Sequence, residues 1–183
     1  MPILELTATE DSEFQNDSPN FNNGLNAGFK VGEEDSTNTT YRAALKFSLA
    51  KIPFGSIIKS VNLKLTVYGD ASNKTTTLNI YRITSSWSET TITWNTQPSK
   101  SSLDGNVSIA NGFTGQKTIP ITIALVQGWL DRTITNHGLF LQNSPENDDN
   151  FHFRSREYGT AADRPILEVE FLPVGGAALF ALA

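Results

Sequence analysis

From Leu45 onward, apolar side chains recur at every second position: Leu45, Phe47 and Leu49, then Val61, Leu63, Leu65 and Val67, then Leu78 and Ile80. A strand with one buried face requires that period, because successive side chains leave opposite sides of the pleated backbone. Turn-forming residues punctuate the runs, with Lys51-Ile52-Pro53-Phe54-Gly55 before one strand and Gly69-Asp70-Ala71-Ser72-Asn73 after it. Further strands are expected at 3–9, 27–31, 91–95, 138–142, 151–156 and 166–172. So many short strands exceed one open sheet. The pattern therefore predicts an all-β fold, a two-sheet antiparallel β-sandwich of jelly-roll type.

One segment departs from the period of two. Ile121, Leu125, Val126 and Trp129 fall at helical spacing, with Thr122 placed as an N-cap, so one short helix is expected near 122–132. Gly128 weakens that helix by about 1 kcal/mol relative to alanine, and packing of Leu125 and Trp129 must compensate. Asn136-His137-Gly138 then turns the chain into the next strand. The segments 15–26 and 33–40, rich in Asn, Asp, Ser, Thr and Gly, are expected to be surface loops.

Length changes the picture little: 183 residues suit one sandwich over 1–172, followed by an apolar tail at 173–183. The chain has no cysteine, which removes disulfides, thiolate metal sites and cysteine nucleophiles together. Fourteen basic against nineteen acidic side chains provide no broad positive field, so nucleic acid is excluded as a partner class. The start, Met1-Pro2-Ile3-Leu4-Glu5, shows no signal peptide. Two origins fit: a secreted protein whose signal was removed, or a protein assembled inside a cell, as virus particles are. The apolar stretch 174–183 is too short to cross a bilayer, and membrane insertion is not expected.

Catalysis needs converging groups, and the sequence offers few. His137 sits in a turn, away from His152. No HExxH, GxSxG or phosphate-binding glycine loop occurs. Two carboxylate groups, Asp11, Glu13 and Asp17, and Glu146, Asp148 and Asp149, read as solvated turns. Calcium is the one ion such loops could hold; no other cofactor is expected, and a metal site is not identified.

Binding chemistry is better represented. His152, Arg154 and Arg156 share one face of an expected strand, opposite Phe151, Phe153 and Ser155. Arginines at this spacing present donor forks to a carboxylated or sulfated sugar, and Arg42, Lys46, Lys64 and Arg82 would extend the basic face. The competing reading pairs Arg154 and Arg156 with Glu157, Glu168 or Glu170. Of the tryptophans, Trp129 and Trp94 read as core, which leaves Trp87, in a Ser-rich turn, as the one to stack on a sugar ring. In the uncharged tail, Leu179, Phe180 and Leu182 would each gain roughly 1.5–3 kcal/mol on burial against another subunit. They are candidates for an assembly contact, including a homo-oligomeric one.

Several phrases occur in a fixed order: Asp11 to Phe14, Asn22-Asn23-Gly24, Leu45-Lys46-Phe47-Ser48-Leu49 with Ile52-Pro53, Trp87-Ser88-Glu89, Thr93-Trp94-Asn95, Val126 to Leu130, and Phe153 to Glu157. Together they resemble the DNRLRE-type, or disaggregatase-related, domains over roughly residues 3 to 172. The resemblance implies a β-sandwich without catalytic residues, carried on secreted and surface proteins, on polysaccharide-degrading enzymes as a carbohydrate-binding module, and on phage structural proteins. The expected role is a non-catalytic structural surface protein, a virion decoration or attachment module that also binds glycan. The alternative is a carbohydrate-binding module of a secreted enzyme or cell-surface protein, recognising acidic polysaccharide.

Overall fold

Wherever alternation was strong, strands formed. The computed structural model describes residues 1–34, 36–70, 74–146 and 149–174. Its strands are β1 (Ile3–Gln15), β2 (Gly28–Glu34), β3 (Thr39–Phe47), β4 (Ile57–Asp70), β5 (Thr76–Ile83), β6 (Lys100–Ile109), β7 (Gly115–Pro120), β8 (Leu139–Ser144), β9 (Asn150–Arg154) and β10 (Ile166–Leu172), with one α-helix, α1 (Ile123–Leu130), before β8. All pairings are antiparallel, in the order β1-β10-β4-β9-β2-β3-β8-β5-β6, with β7 on the free side of β4. The fold is the expected all-β sandwich. Among the described residues no helix is long and apolar enough to cross a membrane.

Strand β1 joins the two layers. Residues 3–7 pair with β10, an irregularity falls between Ala8 and Glu10, and the rest of β1 pairs with β3. That change of partner closes β1, β10, β4, β9, β2 and β3 into a ring, as a bulged corner strand does in sandwiches. Leu45, Leu63, Leu65, Leu78, Ile80, Phe151, Phe153 and Val169 fill the space between the layers without measurable exposure.

A second, smaller core lies on the other side of β1 and β3. Phe14, Ala44, Ile83, Ile92 and Phe140 form it, with Tyr81, Trp87 and Trp94 packed on top; the Phe14 and Phe140 rings are 5.5 Å apart. The cover is the connection between β5 and β6. This connection contains the expected strand 91–95, and there the structure differs: the segment is a series of turns. Ile92 is buried but Trp94 only half-buried, so their side chains follow turn geometry rather than a pleat.

Two strands, β6 and β7, were not legible in the sequence. Each is the end of a ladder; burial along β6 alternates only in part, with Leu103 exposed and Asp104 buried, and β7 alternates but buries a single apolar side chain, Ile119. Edge strands carry polar side chains on both faces, which erases the period of two. The helix is where expected, but Thr122 does not cap it; its hydroxyl donates to the Asp104 carbonyl at 3.1 Å. Gly128 has a use: a Cβ there would lie 2.7 Å from Ile134 Cδ1, so the missing side chain lets Ile134 close over the helix. The tail residues Leu179, Phe180 and Leu182 lie outside the described residues.

Candidate functional site

Past residue 9, β1 has left β10 and needs another partner along that edge. The Glu89 carboxylate takes the role, accepting the Asp11 N–H at 2.8 Å. The same carboxylate accepts Arg156 Nε at 2.5 Å and Nη2 at 2.6 Å, while the Arg156 backbone N–H donates to Asp11 Oδ2 at 2.7 Å. Arg156 also meets Glu157 at 2.8 Å. Asn22 Nδ2 donates to the carbonyls of Glu89 and Ile92 at 2.8 and 2.7 Å. A Cβ on Gly24 would sit 2.1 Å from the Glu89 carbonyl oxygen, so only glycine permits this approach. These bonds latch the covering segment, the 16–27 loop, β1 and the end of β9 together.

The latch corrects the reading of the first carboxylate group. Asp11 and Glu13 are buried within β1, and only Asp17 is exposed. Burial pushes the Asp11 carboxyl up to about 8, aided by the charges of Glu157 and Glu89 and opposed by the Arg156 N–H. Burial likewise raises Glu13 to about 7, against the N–H bond from Lys30 at 2.5 Å. Carboxylate oxygens of Asp11, Glu89 and Glu157 lie within 4.8 Å of one another, a spacing that could suit a cation. Arg156 already bridges Glu89 and Glu157 and so neutralises much of that charge. In the second group, Glu146 pairs with Arg42, Asp149 is buried, and Asp148 lies outside the described residues.

The expected basic face does not assemble as one surface. Arg42 donates bidentately to Glu146 at 2.8 Å and to Gln97 at 2.8 Å. Lys46 pairs with Glu10 at 2.8 Å, Lys64 with Glu5 and Glu168, and Arg82 with Asp104. Arg156 leaves the stripe because β9 ends at Arg154, and its side chain belongs to the latch. Trp87 is half-buried, its indole N–H donating to the His137 carbonyl at 2.7 Å. Lys46 lies 6.0 Å above the Trp87 ring and Arg42 4.5 Å above that of Trp94. Both indoles thus serve the second core.

Arg154 and His152 remain on the outer face of β9, where a different arrangement appears. The Arg154 guanidinium lies 3.9 Å from the Tyr68 ring centroid and 3.8 Å from that of Tyr158, in contact with both rings. Each such contact contributes roughly 0.5–1 kcal/mol at an exposed site. Tyr68 is 40 % exposed. His152 sits edge-on to Tyr68, 5.8 Å between centroids, with Nε2 2.9 Å from Asn150 Oδ1. Two glycines make the room: a Cβ on Gly28, opposite Arg154, would meet Tyr68 Oη at 2.7 Å, and one on Gly69, opposite His152, would meet the imidazole at 3.0 Å. Arg154 has no carboxylate partner among the described residues, so its in-plane donors stay available.

Tyr68 and Tyr158 were not singled out from the sequence, although one signal existed. Tyr68 follows Lys64 and Thr66 on the polar phase of β4, and an aromatic ring on the solvent-facing phase of an amphipathic strand is the informative exception. Tyr158 lies beyond the strand and carried no comparable mark.

A family model described as carbohydrate-binding module family 96 matches residues 2–171. No curated protein matches the chain.

Proposed function

The chain belongs to carbohydrate-binding module family 96, and from that premise we propose that it binds an acidic polysaccharide on the outer face of β4 and β9 without transforming it. The observation that carries this reading is Arg154, held over the rings of both Tyr68 and Tyr158 and lacking a carboxylate partner among the described residues. Stacking immobilises the guanidinium in advance, so its N–H fork loses little freedom on meeting a carboxylate or sulfate. The tyrosines add apolar area for sugar C–H groups, and the His152 ring, edge-on to Tyr68, forms the rim. This retains Arg154 and His152 from the expected site, replaces Trp87 with the tyrosines, and moves Arg156, Arg42 and Lys46 to structural work.

A binding rather than hydrolytic role is supported by where the carboxylates lie. A glycosidase needs two that flank a scissile bond in reach of substrate. Asp11 and Glu89 are 2 % and 7 % exposed and are committed to the latch. The finer kinship to DNRLRE-type domains is also proposed: the phrases Asp11 to Phe14, Asn22-Asn23-Gly24, Trp87-Ser88-Glu89 and Phe153 to Glu157 meet in that latch.

Affinity electrophoresis tests the reading, with polymannuronate, polyguluronate, polygalacturonate or a neutral glucan cast in the gel. At least one polyuronate should retard the protein at low salt, and retardation should fade as salt rises. Tyr68→Ala and Arg154→Ala should each weaken binding about tenfold or more while shifting the urea midpoint by less than ~1 kcal/mol equivalent. Retention on neutral glucan alone, or none on any gel, refutes the proposal.

A further inference from the structure

At the other end of β4 lies a cleft that the Tyr68 platform does not use. Its volume is about 570 Å3, and its walls include Leu49, Ile52, Phe54, Trp129, Arg132 and Asn136. A second hollow of about 240 Å3 continues from it across Ser48 and Ala50 to Thr7, Thr9 and Lys51. These volumes fall within or just below the range of ordinary ligand pockets.

Three features mark this groove as built for an anionic, partly apolar chain. Phe54 presents its ring at 66 % exposure, supported by the Arg132 guanidinium 5.6 Å from its centroid. Arg132 holds a φ of +61° as the residue that ends α1, just past the C-cap Asp131, so the close of the helix sets its backbone at the wall of the groove. The chain carries a net charge of −5, yet the two hollows are lined by the cations Arg132 and Lys51 and by no carboxylate. Neither cation has an ion-pair partner among the described residues. The hydroxyls of Ser48, Thr7 and Thr9 supply polar contacts between them.

We propose that this groove is a second binding site for acidic polysaccharide, with Phe54 as the stacking surface and Arg132 and Lys51 as carboxylate ligands. The proposal rests on the glycan-binding reading above. Phe54 precedes the first residue of β4 by three positions, and Tyr68 lies near the last. At ~3.3 Å per residue the two aromatic surfaces stand about 35 Å apart or somewhat more. One molecule therefore engages two stretches of polymer, and polymer strands are bridged through it.

Titration calorimetry of the full chain with short oligouronates, unable to span both sites, decides the matter. Phe54→Ser combined with Arg132→Asn removes the ring and the charge, and asparagine tolerates the left-handed backbone; Lys51→Glu is an independent surface change. Wild type should bind two oligomers and aggregate long polyuronate, whereas the double variant should bind one and leave the polymer dispersed. Lys51→Glu should weaken only the second site, about tenfold. A double variant that keeps full stoichiometry overturns the inference and leaves the glycan reading intact, and a change in oligomeric state without loss of glycan binding does the same by assigning the groove to protein. If wild type binds no oligouronate, the glycan reading itself fails.

Discussion

Glu89→Ala lowers the unfolding free energy by about 2–3 kcal/mol, the loss expected when the shared acceptor of a charge-assisted guanidinium fork and a buried backbone amide is removed. Three donors converge on this carboxylate: Arg156 Nε, Arg156 Nη2 and the Asp11 N–H. Without it, Arg156 keeps only Glu157, and the Asp11 amide faces the edge of β1 with no acceptor. The segment bearing Trp87 and Trp94 then loses its anchor, so their fluorescence should shift to the red ahead of global unfolding. Glu89→Gln, which keeps one acceptor oxygen, should cost less. Urea titration followed by tryptophan emission measures both changes, and a loss below about 1 kcal/mol for the alanine variant would show that the latch does not hold the sandwich.

The second large effect is on pH. Asp11 and Glu13 bind their protons more tightly folded than unfolded, since burial lifts them to about 8 and about 7. Between the ordinary carboxylate range and those values the native state holds more protons than the unfolded chain, so stability falls as pH rises. Glu34 and Glu168 work in the opposite sense: hydrogen bonds from Lys30 and Lys64 hold them below the ordinary range, and their contribution is lost as pH falls through it. The protein should therefore be most stable near pH 5 and lose on the order of a few kcal/mol by pH 8. Glu13→Gln retains an acceptor for the Lys30 amide and removes the charge, so it should flatten the decline between pH 5 and pH 7.5. Denaturant midpoints across that range give the slope; stability that climbs steadily from pH 5 to pH 8 is incompatible with these buried acids.

Much of the fold was legible because β3, β4, β5, β8 and β10 bury one regular face in the main core. The helix was legible from Leu125, Val126 and Trp129 for the same reason. Elements escaped where a second environment overrode the period. Strands β6 and β7 lie at ladder edges, and 84–99 covers the outer face of β1 and β3, so Ile92 and Trp94 looked like a strand while obeying turn geometry. Asp11 and Glu13 resembled loop acids because sequence shows charge but not the donors that meet it. Those donors come from Arg156, Lys30 and Asn23, distant in the chain or across a loop.

The binding face was half legible for a related reason. Alternation placed His152 and Arg154 together correctly, but it could not show that β9 stops at Arg154 or that Arg156 turns to Glu89. Salt bridges absorb Arg42, Lys46, Lys64 and Arg82, each through an acid brought near by strand pairing or a loop. What distinguishes Arg154 is the company of two tyrosines, one of them on a different strand.

The three indole N–H signals and the Arg154 Nε–H signal appear together in one amide correlation spectrum, and titrating the protein with a bound oligouronate tests the central claim most directly. Movement of the Arg154 signal and of the Tyr68, His152 and Tyr158 amides, with the indole signals of Trp87 and Trp94 fixed, is the predicted result. Trp87 and Trp94 indole signals that move while Arg154 and Tyr68 stay still would place the sugar on the second core and contradict the account.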